Sequence, residues 1–300
     1  MNKPMLRAHI SLLLWAFIVG LSFPVVSALT DGLPPVFLTS FRFIIAILAL
    51  VPFLRGEAQL IPSKGGMVLY ILMSLCLAVF FSGMFWAANV STSLSMATLY
   101  LSIPLLSYAV GRSFNVERKD LKMLAILLLG AVGALMLAFV DAGRVHGNIS
   151  FGIGELVFFV GCVASALYPV LTKFGLKKGL LSPSSVVRTF WSLFLGSIIM
   201  AVIGFAVESP SEMLRMNMYD LMLVIYLGIF SSGVTFWLQQ SATSVLTPAS
   251  VTAYSYLVPF VSMVILFIDE PSQLSFKWLP GSVMVVGAIY ILLRYDMKAK

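Results

Sequence analysis

Ten long apolar runs punctuate the chain, at about residues 8–28, 34–54, 67–89, 95–112, 121–140, 154–174, 186–207, 220–240, 248–268 and 275–293. Each approaches the roughly 20 residues that a helix needs to cross the hydrocarbon of a bilayer. The polar segments between them are short and carry helix breakers: Asp31-Gly32 with Pro34-Pro35, Pro62, Gly147-Asn148, Pro183, Pro210 and Pro271. Alternation of apolar and polar positions at strand length is absent, which argues against a β-barrel. The pattern predicts an all-α integral membrane protein of ten transmembrane helices, numbered here as spans 1 to 10.

Composition agrees. Hydrophobic residues make up 60% of the 300 and charged residues 10%, against about 45–50% and about 25% in a soluble domain; mean hydropathy is +1.02. Ten spans would use about 210 residues, leaving no room for a soluble catalytic or nucleic-acid-binding domain. Lys3 and Arg7 ahead of a run to Leu29 look like a signal peptide, but the run exceeds an h-region and further spans follow, so a retained first span is expected.

The net charge of +7 acquires meaning from its placement. With the N-terminus inside, fifteen of the 19 Lys and Arg residues fall on inner segments, Arg188 among them, three on outer loops (Arg144, Arg215, Lys277), and Arg42 within a span. This bias predicts cytoplasmic N- and C-termini in a bacterial inner membrane. Cys76 and Cys162 lie inside apolar runs without CxxC or His partners, so packing is their expected role.

The two halves echo each other. Phe23-Pro24-Val25 corresponds to Tyr168-Pro169-Val170, Ser82-Gly83 to Ser232-Gly233, Phe85-Trp86 to Phe236-Trp237, Tyr100 and Pro104 to Tyr256 and Pro259, and Val132-Gly133-Ala134 to Val286-Gly287-Ala288. The offset drifts slowly, from 145 through 150–151 to 154–156. Five spans per half is an odd number, so residues 1–145 and 146–300 are predicted to be inverted five-helix repeats around a central cavity.

Leu13-Leu14-Trp15-Ala16 in span 1, Gly32-Leu33-Pro34-Pro35 before span 2 and Ser40-Phe41-Arg42-Phe43 within it resemble the EamA-type branch of the drug/metabolite transporter superfamily. So do the prolines of spans 4 and 9 and the acids that follow them, Glu117 and Glu270. The chain departs from the family's Trp-Gly in span 1 (Trp15-Ala16) and from its Leu-Gly-Glu after spans 4 and 9 (Asn115-Val116-Glu117, Ile268-Asp269-Glu270). The resemblance implies a secondary transporter of small metabolites, amino acids foremost, with spans 1–4 and 6–9 enclosing the path and spans 5 and 10 peripheral.

Polar groups inside spans are costly and need reasons. Arg42, about 12 Å into span 2 at 1.5 Å per residue, either meets a substrate carboxylate or ties helix ends. Trp86 and Asn89 in span 3, and Trp237 and Gln240 beside Gln239 in span 8, form repeat-related polar clusters, as substrate contacts or interhelical bonds. Tyr100, Tyr168 and Tyr256 adjoin Pro104, Pro169 and Pro259, where freed carbonyls and phenols suit a zwitterionic or aromatic metabolite. Glu155 either carries a coupling proton or favours the dipole of its own helix. Gly130, Gly133, Ala134, Gly287 and Ala288 offer close-packing surfaces.

His9 and His146 stand alone, and phosphate-binding and catalytic motifs are absent, so no metal and no cofactor is expected. The expected partners are a small-molecule substrate and the lipid bilayer, with no nucleic acid, in a monomer or homodimer. Export by alternating access is the leading expectation. The alternatives are a sugar, nucleotide-linked or drug-like cargo, an integral-membrane enzyme acting on lipid at Glu117 and Asp120 or at Asp269 and Glu270, and a non-transporting scaffold.

Overall fold

The structure, a computed structural model, describes residues 3–57, 59–145, 152–269, 271 and 275–298, and only the backbone of 141–145 and 269. His146, the Gly147-Asn148 breaker, Glu270 and Lys300 lie outside the described residues. All regular structure among the described residues is helical. Ten helical segments are long and apolar enough to cross a membrane: Lys3–Ser27, Pro35–Leu54, Lys64–Ala88, Ser93–Ser113, Leu121–Val140, Ile153–Lys177, Ser185–Val207, Met218–Val245, Pro248–Ile268 and Phe276–Lys298. Their starts follow from local chemistry. The side chains of Ser63, Thr92, Ser184, Asn217 and Thr247 each accept a hydrogen bond from a backbone N–H of the first helical turn, and Pro35 stands where a missing N–H costs nothing.

Two spans are broken and one is widened. Span 4 consists of Ser93–Tyr100 and Ile103–Ser113, and span 9 of Pro248–Ala253 and Leu257–Asp269 joined by a 3₁₀ turn at Tyr254–Tyr256. Both breaks fall within one turn before a proline, Pro104 or Pro259, whose missing N–H leaves an upstream carbonyl free. In span 8, Leu227–Val234 is π-helical, whereas the related Ser82-Gly83 region of span 3 is regular α-helix.

Span 3 packs on span 6 and span 8 on span 1; span 4 packs on span 6 and span 9 on span 1; span 3 meets span 7 and span 8 meets span 2. Spans 2 and 7, 4 and 9, and 5 and 10 pair with each other. Exchanging spans 1–5 for 6–10 turns every one of these pairings into another of the set. The even number of spans puts both chain ends on one side, where His9 of span 1 lies 3.5 Å from Asp296 of span 10.

Spans 5 and 10 cross at glycine. A Cβ on Gly133 would stand 2.9 Å from the Val285 nitrogen and 3.0 Å from the Gly281 oxygen, and Gly281 in turn faces the Gly133 oxygen. Gly130 leaves room for the Tyr256 ring. Gly287 has open space where its Cβ would be, so its expected packing role within the chain is corrected: it faces away from the crossing. Gly133→Val is therefore expected to destabilise the protein by about 1–3 kcal/mol through overpacking against backbone, and Gly287→Ala to leave it unchanged, both read from thermal unfolding in detergent.

Candidate functional site

Burial along the spans shows where the bundle is sealed. On the side of the chain ends, residues 248–258 of span 9 and 168–172 of span 6 are buried without interruption. Farther along, residues 79–82 of span 3, 96–100 of span 4 and 259–262 of span 9 are all half-buried. At 100° per residue, four consecutive positions sample every face of a helix. Burial is therefore complete on the termini side and partial toward the far side.

A chain of aromatic rings lies at the boundary. Tyr100 and Phe80 have ring centroids 6.3 Å apart, Phe80 and Phe81 5.3 Å, Phe81 and Phe43 5.7 Å, Phe43 and Phe236 6.1 Å, and Phe236 and Tyr168 5.9 Å. Five spans contribute, and offset or edge contacts at such distances are favourable. Tyr100 is half-buried, and its hydroxyl has no hydrogen-bond partner among the described residues. Tyr168 is buried and accepts from Gln240 Nε2 at 2.7 Å.

Beneath this layer, Arg188 of span 7 is fully buried. Its Nε donates to Gln240 Oε1 at 3.0 Å, Nη1 to the Ser182 and Pro183 carbonyls at 2.7 and 2.8 Å, and Nη2 to the Gln240 carbonyl and Ser244 Oγ at 2.8 and 2.6 Å. All five guanidinium donors are used. Gln240 completes the lock by donating to Thr172 at 3.1 Å. Lys173 adds a second tie from span 6 to the carbonyls of Thr243 and Ser244 at 3.0 and 3.2 Å.

Arg42 sits at the opposite end of the bundle, near the start of span 2, and is 8% exposed. Only its Nη2 is engaged, by Ser231 and Ser232 at 3.3 Å each. Nε is buried without a partner, and Nη1 makes no hydrogen bond to a described residue. Ser231 also donates to Ser22 of span 1 at 3.0 Å. The wide π-helical turn presents two adjacent serines to one cation; such turns recur at functional sites. Arg42 and Arg188 are 146 residues apart, one more than the offset of 145 that relates spans 1 and 6. Counting Arg188 as an inner-loop charge hid this relation, although the drifting offset was signal enough to find it.

The remaining expected residues separate. Trp86 is exposed, five turns from exposed Val68 on span 3, and Trp237 is exposed, seven residues on from exposed Phe230. Asn89 is an exposed helix end, its Nδ2 donating to the Phe85 carbonyl at 3.1 Å. Tyr256 is buried against Gly130 with an unpartnered hydroxyl. Glu155 accepts from the Gly152 N–H at 2.8 Å at its own helix start, the dipole role rather than an acid exposed to the path. His9, expected to stand alone, instead meets Tyr254 and Asp296. Among the described residues, no group of three or more His, Cys, Asp and Glu gathers as a metal site.

The arrangement defines a class: a multi-pass membrane protein with broken helices at depth and denser burial on one side than on the other, as carriers of small molecules are built. Comparison with known proteins names the family. The EamA-like transporter family matches residues 6–139 and 152–294, and the chain belongs to it. Relatives include the uncharacterized transporter YcxC of Bacillus subtilis (strain 168), 25% identical over 98% of this chain and 95% of that one. The uncharacterized inner membrane transporter YedA of Escherichia coli (strain K12) is 22% identical over 94% and 89%, and a WAT1-related protein of Arabidopsis thaliana 20% identical over 89% and 77%. A solved crystal structure matches with a TM-score of 0.77 over 100% of both chains at 19% identity, which supports the fold alone. Family membership places the chain among membrane transporters and not among enzymes.

Glu117, in the loop after span 4, yields a pH dependence. It accepts from the Ala249 N–H at 2.7 Å and so caps the second half of the bundle from the first. Burial pushes its carboxyl up to about 7, against the pull of that hydrogen bond. A carboxyl raised on folding binds its proton more tightly in the native state, so stability falls as pH rises from about 4.5 through about 7. Glu117→Gln keeps the acceptor and removes the charge. It is expected to match the wild type in thermal unfolding at pH 5 and exceed it at pH 8, whereas Glu117→Ala loses about 0.5–2 kcal/mol of cap at both.

Proposed function

We propose that the chain is a secondary carrier that exports small amphipathic metabolites, amino acids first among them, across the bacterial inner membrane by alternating access. The carrying observation is the contrast between the two arginines. Arg188 spends every donor on the protein and acts as a lock. Arg42 keeps Nε and Nη1 unbonded in a low-dielectric setting, where a carboxylate would be held by charge-assisted bonds. The aromatic layer from Tyr100 to Phe236, half-buried apart from the fully buried Phe43, supplies the apolar wall that an amphipathic cargo needs.

The termini side is assigned to the cytoplasm on the Lys and Arg bias. The reading takes residues 1–145 and 146–300 as inverted halves, supported by pairings that survive exchange of the halves. On this view the structure is the outward-open state. The Arg188–Gln240–Tyr168 lock and the Lys173 and Glu117 ties must release for cargo to enter from the cytoplasm. No nucleotide-hydrolysing motif is present in the sequence, so energy comes from solute or ion gradients.

Counterflow in proteoliposomes against a panel of amino acids, with sugar, phosphorylated and drug-like arms, tests this. Carboxylated solutes should exchange. Arg42→Ala should weaken their apparent affinity by about 10- to 100-fold, the loss of one charged hydrogen-bonding partner, and Trp86→Ala should leave it unchanged. Uptake of a carboxylated cargo unaffected by Arg42→Ala would remove the anchor; exchange confined to neutral sugars or cationic drugs would replace the cargo.

A further inference from the structure

A second polar cluster lies at the termini side and is used by none of the foregoing. His9 of span 1 is wholly buried. Its Nδ1 is 2.7 Å from the hydroxyl of Tyr254, in the break of span 9. Its Nε2 is 3.5 Å from Oδ2 of Asp296, which is buried near the end of span 10. Nε2 and Oδ2 face each other and neither has a hydrogen-bond partner.

The proton inventory of this trio decides its chemistry. With a neutral imidazole, Tyr254 donates to Nδ1, Nε2–H points at the carboxylate, and the trio carries a net charge of −1. One more proton makes an imidazolium–carboxylate pair of zero net charge, with the tyrosine turning to accept from Nδ1–H. The same proton on Asp296 beside a neutral imidazole gives the same net charge, and the surroundings favour a net charge of zero. The Asp296 carboxylate lies close enough to Glu117 to oppose a charge there, and the Ser250 hydroxyl sits beside Asp296. From span 10, Tyr295 donates to Asp120, which itself lies beside Lys122. From span 6, Lys173 is held on the carbonyls of Thr243 and Ser244. Arg7, Arg112 and Arg294 on the neighbouring spans are exposed. An uncompensated buried carboxylate is costly, and a proton is the cheapest remedy.

We propose that His9, Asp296 and Tyr254 form a proton-binding site that couples carriage to the pH gradient, holding one exchangeable proton in the closed seal and releasing it when spans 1, 9 and 10 part. Deprotonation leaves a buried negative charge inside the seal and so favours opening on that side. With that side cytoplasmic, the site must reload from far-side water along the half-buried stretch 259–262 of span 9 that follows Tyr254, and one proton then moves inward for each cargo exported. The coupling rests on the transporter reading above; the site itself does not.

The sequence has two histidines, so a His146→Asn background leaves a single imidazole. The probe is the proton: ¹⁵N-histidine-labelled protein in lipid nanodiscs, titrated by NMR between pH 5 and 9. The His9 nitrogens should show a titration step, and Asp296→Asn should displace it by about 1–3 pH units, the scale for an opposite charge at this range. Tyr254→Phe, which keeps the ring, should displace it less. A neutral imidazole at every pH, indifferent to Asp296→Asn, would overturn the site. In proteoliposomes, His9→Gln should keep counterflow of whichever panel solute exchanges and lose at least about tenfold of its pH-gradient-driven accumulation. Gradient-driven accumulation retained in His9→Gln would overturn the coupling, while the NMR result would still judge the site.

Discussion

The bilayer denies polar groups any partner but the protein, and that constraint organises this molecule. Two arginines embedded near opposite ends of spans 2 and 7 show its two outcomes. Arg188 is satisfied five times over by one lock of carbonyls, amide and hydroxyl. Arg42 is left with a single nitrogen on two serines at 3.3 Å. A protein with no further need of Arg42 would bear the burial cost for nothing; the anionic cargo proposed above would offset it.

The same constraint explains why irregular backbone appears where it does. The breaks in spans 4 and 9 and the π-helical turn in span 8 expose main-chain groups or crowd serines together. They lie beside Tyr100, beside Tyr254 in the buried termini-side stretch of span 9, and beside Arg42 at the opposite end. Irregularity at depth is tolerated when it lines a cavity or is buried in protein. The seal itself is polar. Arg188, Lys173, Glu117 and the His9–Asp296 pair tie spans 1, 6, 7, 8, 9 and 10 to one another on the termini side. A seal of hydrogen bonds can exchange partners with water or a proton, which an apolar plug of similar area cannot.

Spans 5 and 10 serve a different end. Gly133 and Gly281 let their backbones approach closely, a packing solution suited to lipid, where apolar side chains gain little from burial. This pair is no passive outrigger, because Asp296 of span 10 reaches His9 of span 1 and Tyr256 of span 9 nests on Gly130 of span 5.

The ten spans, their limits within a few residues and the kinship of the halves were legible in the chain, because hydrocarbon thickness and the absence of water impose a one-dimensional pattern. Arg42 was legible as well, since a cation inside an apolar run is conspicuous at any depth. Which face of a helix a residue occupies was not. Trp86 and Trp237 are exposed, Asn89 ends its helix and Glu155 caps the start of its own. His9 looked solitary because its partners are 245 and 287 positions away. Hydropathy records how deep a residue sits, and local sequence determines that. Rotation about the helix axis and the meeting of distant spans are set by packing between helices, so the pairing of His9 with Asp296 and the contrast between Arg42 and Arg188 belong to the tertiary structure alone.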